Sequence, residues 1–397
     1  MKSYYSHIDQ RNKCKIPIKF IEWHLEGIRK IIEQSIYKND FSKPIQDIIP
    51  YIISFHDIGK WTEYFQTYLK TERKKPPLSF HSLIGASTAF LFIKDKFDCK
   101  LATIAYYVIH NHHTSNLCNF TDCFDEENNN NKAQINEQPK HLLNAKKHIE
   151  NTIGINIKEY LPDIVLDLYD ETTDIVNEKN IKNYFFVTYA FSILIEADKL
   201  DASNTSIHKR LPISVDAVDK HIERIIKEKN IDANTKQNKL RSQVRTTVTS
   251  HLKSDEILKE KLFVLTAPTG IGKTLTALDF ALKLRAKVKK KEKRNAQIIC
   301  ALPFINIIEQ TFETYKEVLV NEDVKLLAHY QYADVISKDN KNKSNEEEQD
   351  DYKKKIMQLD TWQSDVVITS FVQLLQTLIG CKNKVLKKFH HLQVQLS

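Results

Sequence analysis

The 397-residue sequence predicts a multidomain protein: an all-α N-terminal domain, a charged helical connector, and an α/β domain built on a parallel sheet. Three observations predict it. Residues 14 to about 205 carry Ile, Leu, Phe and Tyr at helical spacing, with very little glycine and little strand-like alternation. From Leu262 onward, short β-rich apolar runs alternate with helical ones. The first of those runs leads into a glycine-bearing turn that ends in Lys273-Thr274, the arrangement of a phosphate-binding loop.

The length exceeds what one ordinary core organises, and 41% hydrophobic with 28% charged residues lets each domain fold without covalent staples. Six cysteines stand at 14, 99, 118, 123, 300 and 381 with no C-x-x-C; Cys118 and Cys123 are poorly spaced for zinc. All six are expected to be reduced thiols in a cytoplasmic protein. The N-terminus has no apolar signal core and no run reaches membrane-spanning length, so neither export nor membrane association is expected. The net charge is +8, concentrated locally. Lys283, Arg285, Lys287, Lys289, Lys290, Lys291, Lys293 and Arg294 form one basic run, and Lys382, Lys384, Lys387 and Lys388 another. Such runs are either solvated helix ends and loops or an electrostatic footprint for nucleic acid.

Within the helical part, Ile45, Ile48, Ile49, Ile52 and Ile53 form a stripe that His56 continues, directly before Asp57-Ile58-Gly59-Lys60. A carboxylate brought inward must meet a cation, a hydrogen-bond network or a metal ion. Other helices bring similar groups to similar positions. Ile21, Leu25, Ile28 and Ile32 carry His24 at the edge of their stripe; Leu101, Ile104, Ala105 and Val108 lead to His112 and His113; Tyr184, Val187, Phe191, Leu194 and Ile195 lead to Asp198; His81 precedes the apolar segment Leu83 to Ile93. So many inward imidazoles and carboxylates on separate helices predict a metal site in the bundle core. Neutral imidazoles suit transition metals, and Asp57 can bridge two ions with its two oxygens. A pair of metals about 3.5–4 Å apart would generate hydroxide near neutral pH and stabilise the leaving oxygen of a phosphodiester. Lys60 is either a contact for the substrate phosphate or a solvent-facing charge at a helix end.

Residues 121–140, with Asp125-Glu126-Glu127 and Asn128 to Asn131, are expected to form a mobile surface loop. Segment 206–260 is charged and helical, a connector. Strands are expected at Leu262–Thr266, Ile298–Leu302 and Val366–Thr369, with helices after each, and residues 335–356 as an exposed loop or helix. In Ala267-Pro268-Thr269-Gly270-Ile271-Gly272-Lys273-Thr274, backbone amides around Gly270 and Gly272 can surround a phosphate, Lys273 adds charge, and the Thr274 hydroxyl can join magnesium. Two of the chain's 7 glycines fall in this loop, although Ala267 stands where the usual pattern begins with glycine.

The combination of His24, His56-Asp57 with Gly59-Lys60, His81, His112-His113 and Asp198 in Ala197-Asp198-Lys199-Leu200-Asp201, followed by the loop at Thr266–Thr274, resembles the CRISPR-associated helicase-nuclease of type I systems. The resemblance implies an HD-type nuclease domain over 1–205, a helical connector over 206–260, and a first RecA-like helicase domain over 261–397. It implies His24, His56, Asp57 and Asp198 on one divalent ion and Asp57, His81, His112 and His113 on the other, the ions being Mn, Fe, Co, Ni or Mg. His110 is expected on another helix face. It further implies catalytic roles for Asp57 and Lys60, and ATP with Mg at Thr269, Gly270, Gly272, Lys273 and Thr274. Gln243 corresponds to an adenine-reading glutamine, Ala301-Leu302-Pro303-Phe304 with Gln310 to the next helicase motif, and Thr369-Ser370 with Gln373 to a single-strand contact. The implied partners are single-stranded DNA, bound mostly through phosphates, and the RNA-guided surveillance complex. No Asp-Glu pair follows Thr369, so the helicase part is expected to be incomplete at its C-terminus, and ATP hydrolysis by this chain alone is not expected. The alternatives are an HD phosphohydrolase acting on nucleotides and a non-catalytic ATP- or DNA-binding subunit joined by a separate chain that carries the missing helicase half.

Overall fold

The structure, a computed structural model, describes residues 3–9, 16–35, 43–71, 76–117, 123, 129–161, 180–330 and 346–392. The chain divides into two compact units: Met1–Ile207 with Tyr352–Thr361 and Gln376–Ser397, and His208–Asp351 with Trp362–Leu375. No helix among the described residues is long and apolar enough to cross a membrane.

The first unit opens with an antiparallel pair, β1 (Tyr5–Asp9) and β2 (Ile16–Phe20), in a domain expected to be all-α. Pro17 pairs with Ile8 in this two-stranded ribbon, where a strand without one amide is tolerated. Helix α1 (Ile21–Ser35) follows directly, and Ile21, Leu25, Ile28 and Ile32 are buried as their spacing requires. Helix α2 (Lys43–His56) buries its isoleucine stripe and ends in a short 3-10 turn, Ile58–Trp61. Thr62 then caps α3 (Glu63–Lys70) by accepting from the Phe65 amide. Helices α4 (Ser82–Lys96) and α5 (Cys99–Asn111) pack closely with α2, and Asp98 caps α5 through the Leu101 amide.

Two glycines make that packing possible. A Cβ on Gly85 would lie 2.5 Å from the Phe55 carbonyl oxygen, and one on Gly59 would lie 2.7 Å from the His81 Cβ. Helices α6 (Asn129–Asn144) and α7 (Lys146–Ile153) follow. Thus the part of the 121–140 stretch from Asn129 onward is helix: Ile135 and Leu142 join the core, and Gln138 donates to the Leu78 and Phe80 carbonyls. The remainder of that stretch, apart from Cys123, lies outside the described residues. Helix α8 (Ile181–Ala202) brings Phe191, Leu194 and Ile195 into the same core.

In the second unit, helices α9 (Ala217–Glu228) and α10 (Lys236–Ser250) precede the phosphate-type loop and α11 (Lys273–Glu292). Then come β3 (Ile298–Leu302), α12 (Ile305–Val318) and β4 (Leu326–His329). Helix α13 (Glu346–Asp360), which belongs to the first unit from Tyr352 onward, precedes β5 (Val366–Ser370), and α14 (Phe371–Ile379) belongs to the first unit from Gln376 onward. The sheet is parallel, in the order β3-β5-β4, with Ile298 and Leu326 both opposite Val366. The expected strand at Leu262–Thr266 is absent: a strand persists where a neighbour takes its backbone hydrogen bonds, and no described strand pairs with this run. Leu262 and Val264 are 80% and 81% exposed there.

Residues that sequence reading assigned to the connector, Ile213, Ala217 and Val218, belong to the core of this unit. Asp365 ties it together, accepting from the Leu211 amide at 2.8 Å, Arg285 at 3.0 Å, the Lys325 amide at 3.2 Å, and lying 2.7 Å from the His208 Nε2. The last segment, α15 (Asn383–Leu386) and the 3-10 turn Phe389–Leu392, buries Val385, Leu386 and Phe389 in the helical unit's core.

Candidate metal centre and nucleotide loop

Five separate stretches of the helical unit deliver the expected residues to one place. His24 comes from α1, His56 from the last turn of α2, Asp57 from the position after it, His81 from the start of α4, His112 from the residue closing α5, and Asp198 from α8. His24, His56 and Asp57 are fully buried, and His81, His112 and Asp198 are nearly so; His113 is exposed. Asp57 is central. Its Oδ2 lies 3.2 Å from the His24 Nε2 and 3.5 Å from the His56 Nε2, while its Oδ1 lies 3.2 Å from the His81 Nε2 and 3.9 Å from the His112 Nε2. Asp198 Oδ1 is 3.3 Å from the His24 Nε2, and the His81 and His113 Nε2 atoms are 2.8 Å apart. Donor atoms therefore gather into two groups that share Asp57, namely His24 with His56 and Asp57, and Asp57 with His81, His112 and His113.

Hydrogen bonds on the far side of the rings fix their tautomers. The His56 Nδ1 is 2.7 Å from the Ile53 carbonyl and the His112 Nδ1 is 2.6 Å from the Ile109 carbonyl. A carbonyl only accepts, so in both rings Nδ1 carries the proton and Nε2 keeps its lone pair. The His24 Nδ1 bonds to the Asp201 carboxylate, which also receives Lys19 at 2.6 Å. An imidazole held by a carboxylate behind it is the arrangement that orients a metal ligand. In front, the Nε2 atoms of His24, His56 and His112 and both Asp57 oxygens are buried without an aligned hydrogen bond. Apart from the Asp57 Oδ2, which the Lys60 ammonium approaches at 2.6 Å, such atoms are costly unless a cation completes them, so this donor set fits divalent metal ions.

The electrostatics agree. Burial opposes charge on Asp57, yet His56 and Lys60 beside it hold its carboxyl well below the usual carboxylate range. Burial pushes the His56 and His112 imidazoles down, favouring the neutral form a metal needs. His24 differs. Burial opposes its cation, but hydrogen bonds to Asp198, Asp201 and Asp57 outweigh that and raise it to about 10.

Lys60 is not solvent-facing; it is 3% exposed, with Nζ 2.6 Å from the Asp57 Oδ2. His110 lies off the cluster, its ring stacked on Tyr106, as helical geometry requires. Sequence reasoning missed two participants. His7 on β1 sets its ring 4.6 Å from that of His24 and groups with His24 and Asp198, but nothing local to an unpredicted strand signals it. Asp201 was detectable, because it follows Asp198 by three residues and shares its helix face.

In the second unit the loop has the backbone its glycines allow: Gly270 and Gly272 have φ of +77° and +85°. Thr269, Gly270, Lys273 and Thr274 are exposed and Gly272 is half-buried, with α11 beginning at Lys273. The Lys273 ammonium donates to the Ala267 carbonyl at 3.1 Å, and Arg241 donates to the Gly270 carbonyl at 2.9 Å. Thr369 is fully buried, and its hydroxyl donates to the His329 carbonyl at 2.7 Å. Ser370 accepts from the Gln373 amide at 3.1 Å.

The DEAD/DEAH box helicase family matches residues 252–394. The CRISPR-associated nuclease/helicase Cas3 of Haloferax volcanii is 23% identical over 371 residues, covering 83% of this chain and 39% of that protein. Among solved structures, T. fusca Cas3 aligns with 98% of this chain and 45% of its own at a TM-score of 0.49 and 13% identity. Its ATP form aligns with 97% and 45% at 0.47 and 15%. The chain is thus similar over most of its length to a CRISPR-associated nuclease/helicase Cas3 and contains a region matching the DEAD/DEAH box helicase family, and it spans 39% of the length of the curated relative it matches.

Proposed function

We propose that this chain is a metal-dependent nuclease that cuts single-stranded DNA in RNA-guided antiviral defence in the cytoplasm. In this reading an HD-type domain over 1–205 carries the metals, 206–260 is a connector, and 261–397 is part of a first RecA-like domain that binds ATP with Mg. Its partners are the displaced DNA strand and the RNA-guided surveillance complex.

One observation supports the proposal: Asp57 is shared by two donor groups, and its two oxygens and the Nε2 atoms of His24, His56 and His112 are buried without an aligned hydrogen bond. His24, His56, Asp57 and Asp198 would hold one divalent ion, and Asp57, His81, His112 and His113 the other. When bound, such ions supply Lewis-acid activation of water and stabilise charge on the phosphoryl oxygens. The chain's own residues do the rest. Asp201 and the Ile53 and Ile109 carbonyls lock the three rings with Nε2 forward. Lys60 neutralises Asp57 and is the cation available to a scissile phosphate. His113 is exposed, so the second group opens to solvent, where a flexible single strand can enter.

The test is cleavage of a long single-stranded DNA and of free deoxynucleoside triphosphates by the full chain, reloaded with Mn, Co or Ni. The expected outcome is cleavage of the polymer, lost in Asp57→Ala together with bound metal. Release of phosphate from nucleotides with the polymer intact, or unchanged cleavage by the variant, would overturn the reading.

A further inference from the structure

Glu196 precedes Asp198 by two residues on α8. A helix turns about 100° per residue, so the two carboxylates leave the helix on roughly opposite faces. On the Glu196 side the 3-10 turn Phe389–Leu392 packs along α8 and presents two histidines. The His390 Nε2 is 2.9 Å from the Glu196 Oε2, and the His391 Nε2 is 2.9 Å from the Glu196 Oε1. Glu196 is 1% exposed and His390 is 4% exposed, and one donor atom from each of the three residues lies within 4.8 Å of the others.

A buried carboxylate between two imidazoles is satisfied either by two N–H donors or by a metal ion. His390 separates these cases. Its Nδ1 is 2.8 Å from the Ser192 Oγ, and its backbone amide donates to that same oxygen at 3.1 Å, so the ring is anchored on its far side. Its Nε2 is close to Glu196 but not aligned with it as a hydrogen bond, which leaves that nitrogen buried without a hydrogen-bond partner. A ring fixed through one nitrogen, with the other turned toward a carboxylate and a second imidazole, has the posture of a metal ligand. Two imidazoles and one carboxylate are a zinc donor set with a fourth position open.

We propose that Glu196, His390 and His391 form a separate site for a divalent transition-metal ion of the zinc type. The ion ties the segment after α15 to the back of the helix that carries Asp198. The site shares no residue with the groups around Asp57, and it stands whether or not those groups support a nuclease.

The experiment measures Co²⁺ bound by the full chain, by metal analysis after desalting and by the visible absorption of low-coordinate Co²⁺. Glu196→Gln and His390→Ala are each expected to lower the content by one equivalent and to remove the matching absorption band. Asp57→Ala removes a different part, so Asp57→Ala combined with Glu196→Gln loses both. Circular dichroism reports whether each variant is folded, and the near-isosteric Glu196→Gln decides the matter if His390→Ala does not fold. Co²⁺ content and spectrum unchanged in Glu196→Gln would overturn the proposal.

Discussion

Gly59→Ala adds one methyl group and separates packing around Asp57 from backbone strain. Gly59 has an ordinary negative φ, so alanine is conformationally acceptable there. Its Cβ, however, would lie 2.7 Å from the His81 Cβ, 2.7 Å from the Ile84 Cγ2 and 2.8 Å from the His81 Cα. Carbon atoms rest about 3.5–4.0 Å apart, so each contact is too close by roughly 1 Å, and one of them is to backbone. The start of α4 must move away, at a cost of about 1–3 kcal/mol for overpacking. For a unit of this size that is a fall in Tm of roughly 2–4 °C per kcal/mol.

The same shift draws the His81 Nε2 from its place 3.2 Å from Asp57. Misplacing a reacting group by 1 Å can slow catalysis on the order of 100-fold. The assay is single-strand cleavage at saturating metal beside a thermal melt. Gly154→Ala is the control: with φ of +71° and nothing within 4 Å of its Cβ, it loses stability through strain while leaving cleavage intact. Unchanged Tm and cleavage in Gly59→Ala would refute the packing argument.

Three further outcomes are expected. In the metal-free chain His24 is raised from 6.5 to about 10, so its share of stability is fully present below pH 6.5 and is lost as pH rises through about 10. Metal binding at pH 8 must expel that proton, and calorimetry in buffers of different ionisation enthalpy should find about one proton released; none released contradicts the charged state. Lys273→Ala should abolish ATP binding, measured by equilibrium dialysis, while metal-dependent cutting of naked single strands persists; loss of both would mean the two sites are coupled. Asp365→Ala strips the common partner from Arg285 and His208 and should destabilise the second unit by about 3–5 kcal/mol in a denaturant titration, with metal content unchanged.

The helical unit was readable in sequence where burial follows a single stripe. The isoleucines of α1 and α2 and the run before His112 carry their histidines inward because side-chain direction follows helix period, and the spacing records it. His24, set at the edge of its stripe by that reasoning, is fully buried because groups from other elements surround it, Asp201 bonding its Nδ1 and Asp57 lying beside its Nε2. The glycines of the nucleotide loop were readable for a local reason, since a left-handed φ is a single-residue requirement.

What was not readable depends on partners distant in sequence. Tyr5–Asp9 becomes a strand because Ile16–Phe20 pairs with it, and His7 reaches the centre only through that pairing. Leu262–Thr266 has the composition of a strand and lacks a described neighbour to make it one. Asn129–Asn144 looks like a polar loop, yet Ile135, Leu142 and Gln138 give it enough buried contacts to order a helix. Glu196 and His390 are nearly 200 residues apart, and no periodicity links them.

Asp57 would be shared by the two metal ions of the proposed nuclease, and anomalous diffraction from crystals of the full chain soaked in Mn²⁺ tests this most directly. Two peaks about 3.5–4 Å apart, one on either side of the Asp57 carboxylate, are expected. A single peak remote from Asp57, or none beside it with Lys60 still seated on its Oδ2, would contradict the account.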